Sequence, residues 1–154
     1  MHISHVRNLA LGAAVAMLPT VAGWAAEPVK AGALDTQTQM NAVTEALQAV
    51  GPVEEAVKRY RLAHDGFPAS NAEAGVPPPA QFASNSVQTI MVGTDGVIDV
   101  SLTAASGVDA GVIRFRPDYA PQSGGGDVHW TCASESYANI GDLTGGNCQH
   151  TKMP

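Results

Sequence analysis

VEEAVKRYRLAHDGFPASNAEAGV, residues 53–76, is where an amphipathic helix gives way to a loop. Its first ten residues continue an apolar stripe made of Met40, Val43, Leu47, Val50, Val53, Val57 and Tyr60. Spacings of three and four place that stripe along one side of a helix, and ordinary core packing accounts for it. Thr36 with Gln39 three residues later suits a capping box, which predicts a helix over residues 35–62. Gly51-Pro52 falls inside the pattern, so a kink or short break is expected there. Lys58, Arg59 and Arg61 complement the helix dipole near its end, and Gly66 and Pro68 stop it.

Downstream, residues 67–82 read as a loop, with Pro68, Ser70, Asn71, Gly75 and the triplet Pro77-Pro78-Pro79. A proline triplet favours an extended spacer over a helix. Four strand candidates follow. Residues 87–92 and 97–102 flank Gly93-Thr94-Asp95-Gly96, a hairpin turn. Ile98, Val100 and Leu102 share one face of the second strand, and Ile113 and Phe115 share one face of the third. In the fourth, over 128–132, Val128, Trp130 and Cys132 point inward, with His129 and Thr131 outward. This alternation suits an antiparallel sheet with one packed and one wet face. A helix followed by a four-stranded sheet makes an α+β domain over residues 35–154.

Upstream, Arg7 precedes an apolar run from Leu9 to Leu18, and small residues Gly23 and Ala25 follow Pro19. Residues 1–25 therefore read as a secretory signal peptide, with cleavage after Ala25 or a neighbour. Residues 26–34 read as a polar linker. The expected location is the periplasm, cell surface or exterior, and no run is long and apolar enough to span a membrane. Export makes the pair Cys132 and Cys148 most simply a disulfide, since a redox pair would want Cys-x-x-Cys. A formal net charge of −6 over 154 residues argues against a nucleic-acid partner. The basic run Lys58-Arg59-Tyr60-Arg61 is read as a solvated helix end.

Catalytic and metal-site patterns are missing from the sequence. No G-x-S-x-G elbow occurs. His2 and His5 leave with the signal, and His64, His129 and His150 lack zinc-ligand spacing. Gly124-Gly125-Gly126 is not followed by the Lys and Ser/Thr of a phosphate loop, and Asp95-Gly96 lacks the other ligands of a calcium loop. Adjacent Glu54 and Glu55 point to different helix faces. The expectation is a non-enzyme with no cofactor and no metal.

The helix-end loop, with Gly66, Pro68, Asn71, Ala74 and Gly75, resembles that of the type IV pilin family. Val128-His129-Trp130-Thr131-Cys132 and the later Cys148 are similar to the family's Trp-x-Cys strand and C-terminal disulfide loop. The resemblance covers residues 40–148. It implies a helix spine on a four-stranded antiparallel sheet, with the disulfide loop at one edge, serving as a structural and adhesive surface. The family's leader ending in Gly, its Phe-Thr-Leu-Ile-Glu start and its long apolar segment have no counterpart here, so the chain reads as a pilin-like headgroup without that N-terminal helix. The expected role is a structural or accessory subunit of a type IV pilus or related system in cell adhesion. Its partners would be pilus subunits, assembly proteins or a surface ligand. The alternative is a secreted or periplasmic pilin-fold binding module, an adhesin or decoy outside any filament.

Overall fold

The computed structural model describes residues 31–121 and 126–152. The signal peptide expected at residues 1–25 and the first part of the linker lie outside the described residues. Helix α1 spans Ala31–Ala63 and is the spine of the fold. It starts before Asp35, taking in residues 31–34 of the expected linker, and Thr36 lies within it rather than capping it.

α1 also runs through Pro52 without the expected break. Pro52 and Gln48, whose carbonyl loses its usual donor one turn on, are both exposed, so water can serve the orphaned group. On the opposite face Val43, Val50, Val53 and Val57 are buried. Their packing keeps the helix continuous through a position where an isolated peptide would open. Ala42, Ala46 and Ala56 are buried beside them, whereas Met40, predicted to lie in the stripe, is 40% exposed.

The sheet contains β1 Val87–Val92, β2 Ile98–Leu102, β3 Val112–Ala120, β4 Asp127–Ser134 and β5 Cys148–His150, in that spatial order. The first four strands form the expected antiparallel meander. The fifth is an addition, pairing parallel to β4 after the short helix α3, Ile140–Leu143. Strand β3 extends beyond residue 116 and includes Pro117. Past Phe115 it is paired to β4 but no longer to β2, a setting in which a strand tolerates proline. The inward faces are as the alternation predicts: Ile98, Val100, Leu102 and Ile113 are fully buried, and Phe115 nearly so. They join the α1 valines in one core, with Trp130 and Cys132 packed against its margin. Each fully buried valine or isoleucine contributes roughly 1.5–3 kcal/mol relative to an exposed one.

The β1–β2 turn is built on backbone geometry that few residues supply. Asp95 and Gly96 have φ of 58° and 71°, and Val97 N–H donates to Thr94 C=O at 3.3 Å. Positive φ at two successive central residues is the pattern of an Asp-Gly hairpin turn. Gly96 N–H also donates to Pro68 C=O at 3.0 Å, tying the hairpin tip to the loop after α1. A Cβ on Gly96 would lie 3.0 Å from Phe67 Cβ. Gly96→Ala therefore combines a left-handed alanine with a collision, and a loss of about 2 kcal/mol is expected in urea denaturation. An unchanged midpoint would refute this account of the turn.

Candidate functional site

The loop between α1 and β1 is organised by its own side chains. Ser70 Oγ accepts from Glu73 N–H at 3.2 Å, and the Glu73 carboxylate accepts from Ala69 N–H at 2.8 Å. This reciprocal arrangement is close to a capping box and starts the one-turn helix α2, Asn71–Ala74. Gly75, at φ 70°, ends it. The signal Ser-x-x-Glu is present in the sequence at Ser70 and Glu73, although composition alone reads the segment as loop.

Asn71 is the centre of this arrangement. Its side-chain amide donates to Pro77 C=O at 2.7 Å and to Ile90 C=O at 3.0 Å. Its Oδ1 accepts from Val92 N–H at 2.7 Å. β1 is an outer strand, so Ile90 and Val92 present backbone groups with no strand beside them. The Asn71 amide supplies both donor and acceptor there, as a neighbouring peptide unit would. Beside it a mostly apolar hollow of about 620 Å³ is lined by residues including Ala72, Val76, Pro79 and Met91.

At the other side of the sheet, Cys132 and Cys148 form the disulfide, with Cα atoms 4.5 Å apart on paired positions of β4 and β5. The returning chain is held by Thr144, whose hydroxyl donates to Ile140 C=O at 2.7 Å and accepts from Cys148 N–H at 3.0 Å. Ser134 Oγ donates to Val112 C=O at 2.6 Å, linking the end of β4 to β3. Buried Tyr137 donates its hydroxyl to Ser106 Oγ at 2.6 Å and closes over Gly111, where a Cβ would fall 2.7 Å from that hydroxyl.

The sequence-selected residues therefore fall into two groups. Pro68, Asn71 and Gly75 gather with the β1–β2 hairpin, and Gly66 precedes them at the end of α1. Trp130, Cys132 and Cys148 sit on the last two strands. The sheet separates the two groups and does not bring them into one site.

The basic helix end differs from a freely solvated one. Lys58 Nζ lies 2.8 Å from an Asp127 carboxylate oxygen. Arg61 donates to His64 C=O at 2.9 Å and stacks its guanidinium 3.9 Å from the Tyr119 ring centroid. Tyr60 and His64 stack at 4.0 Å. These contacts fasten the end of α1 to β3 and β4, which leaves exposed Arg59 as the solvated member of the run.

No group of histidine, cysteine or carboxylate side chains suited to a metal ion occurs among the described residues. His64 lies in the bend after α1, His129 on β4 and His150 on β5. Glu54 is half-buried on α1, and desolvation, reinforced by the neighbouring Glu55 charge, raises its carboxyl above the ordinary range. A raised folded-state pKa contributes stability that is present at acid pH and is lost as pH rises through it. Glu54→Gln is thus expected to raise the melting temperature at pH 7, with the advantage vanishing below about pH 4. An equal gain at both pH values would refute the assignment.

Residues 42–148 match the family model for pilin, a bacterial filament protein. The chain belongs to the pilin family. The match begins inside α1 and ends on the second cysteine, so it takes in both groups of residues described above. No curated protein matches this pilin. The family is structural and non-catalytic, and membership associates the chain with other pilus subunits at the cell surface. No helix among the described residues is long and apolar enough to cross a membrane.

Proposed function

We propose that this pilin is exported through its first 25 residues and works as an interaction subunit or accessory of a type IV pilus or related system, contributing to cell adhesion through its headgroup. The observation that carries the reading is the family match over residues 42–148, from the helix spine to the closing cysteine. The architecture supports it. One border of the sheet is occupied by the Asn71 loop, and the other ends on β5, a disulfide-tethered strand of three residues. One loop-covered edge and one very short edge leave little open backbone, which favours contacts through side chains over edge-to-edge pairing.

The test is intact mass and N-terminal sequencing of the protein from its host, followed by capture of pilus components on the oxidised chain. A mature start near Ala26 and recovery of pilus subunits would support the proposal. A chain that retains residues 1–25 would refute export by this route. Export without any recovered pilus component would favour the independent adhesin or decoy instead.

A further inference from the structure

The wet face of the sheet, opposite α1, carries two hollows separated by arginines. One, of about 350 Å³, is lined by Asp95 and Asp99 together with Arg114 and Arg116, so its charges offset one another. The other, of about 400 Å³, also borders Arg114 and Arg116 but has no carboxylate side chain in its lining. Its lining also includes Trp130, with the amides of Asn147 and Gln149 and the hydroxyls of Thr131 and Thr151 as further polar groups. Arg114 is offset by Asp99 and by the nearby Glu135 charge, so the positive charge this hollow offers a ligand is that of Arg116.

The geometry of this hollow is fixed from behind. Arg114 donates from Nε and Nη2 to the two Asp99 oxygens at 2.7 and 2.8 Å, so its guanidinium is held across β2 and β3. Arg116 is the next outward residue on β3 and is exposed. Thr131 faces Arg116 in the register, and Gln149 of β5 is in register with Ala133, the partner of Arg114. The disulfide between Cys132 and Cys148 locks the strand that carries Gln149 to the strand that carries Thr131. Donors from three adjacent strands thus converge on one opening of a volume typical of small-ligand sites.

We infer that the hollow bordered by Arg116, Thr131, Asn147 and Gln149 binds an acidic saccharide, a sugar ring bearing a carboxylate. Arg116 receives the carboxylate, for which a guanidinium offers paired donors in a planar fork. The amides and hydroxyls supply both donors and acceptors for ring hydroxyls. The inference names a ligand class for the adhesive role proposed above and rests on that reading. Binding to the isolated chain is measured apart from capture of pilus subunits, so either can fail alone.

The experiment titrates the purified, disulfide-bonded chain with D-glucuronic acid, following backbone amide NMR signals. D-glucose, acetate, sulfate and a short peptide with a free C-terminus serve as the other arms. Saturable shifts at Thr131, Ala133 and Gln149 are expected with glucuronic acid, and responses roughly tenfold weaker with each of the others. Arg116→Gln is expected to weaken glucuronic acid binding by about tenfold or more, and Arg116→Lys by less. Arg59→Gln, the same change of charge on exposed α1, should leave binding unaltered. Arg116→Gln is a surface change, and an unchanged melting temperature certifies its fold. The inference is overturned by absent shifts, by equal responses to acetate or sulfate, by tighter binding of the peptide, or by an Arg116→Gln chain that binds as the parent does.

Discussion

Asn71→Ala is expected to lower the free energy of unfolding by about 4 kcal/mol, although it removes no apolar packing of consequence. The loss follows from three backbone groups, Pro77 C=O, Ile90 C=O and Val92 N–H, which would be left without their side-chain partner. Ile90 and Val92 are buried, so water has poor access to their backbone groups. An unsatisfied buried polar group costs about 1–3 kcal/mol. Asn71→Asp separates hydrogen bonding from size. A carboxylate would still accept from Val92 N–H but would set an oxygen against two carbonyls. At neutral pH it should be nearly as damaging as alanine, with partial recovery on acidification as the carboxyl gains a proton. Urea denaturation at pH 7 and pH 4 reads both effects. A loss under 1 kcal/mol for Asn71→Ala would mean that the edge of β1 does not depend on this side chain.

Cys132→Ser should produce the second large loss, about 3 kcal/mol under oxidising conditions, from freeing a chain segment with cysteines 16 positions apart. Cys132 lies on paired strands, so the variant should retain β4 while β5 and the α3 segment become the first parts to open. Limited proteolysis should cut between residues 135 and 147 in the variant and in the reduced parent, but not in the oxidised parent. Adding reductant should bring the parent's denaturation midpoint down to that of the variant. Equal midpoints for the oxidised parent and the variant would remove the structural role of the bridge.

Legibility in the sequence followed the distance over which each feature is determined. The helix and the four long strands are repeating patterns, so Val43 to Val57 and Ile98 to Phe115 announced their buried faces. Local rules gave a poorer account where packing overrides them: α1 passes through Pro52 because buried valines on either side secure it. Strand β5 and helix α3 are three and four residues long, too short to show a period. Their place comes from the disulfide and from Thr144. The Asn71 bridge joins residues 19 and 21 positions apart, and no pattern within the loop encodes it. At the candidate sugar site, alternation along β3 placed Arg114 and Arg116 on the wet face. The convergence of Asn147 and Gln149 beside them needed the parallel return of β5.

The order β1-β2-β3-β4-β5 also has a kinetic consequence. Every strand pairs with its neighbour in the chain, so each pairing closes a short loop and little entropy is spent before contacts reward it. A nucleus can form at the β1–β2 hairpin and zip outward, with no strand waiting for a distant partner. The chain contains two cysteines, both on the final two strands, so oxidation has one intramolecular product and requires no reshuffling. Folding and oxidation can therefore run in the same direction, from hairpin to tail.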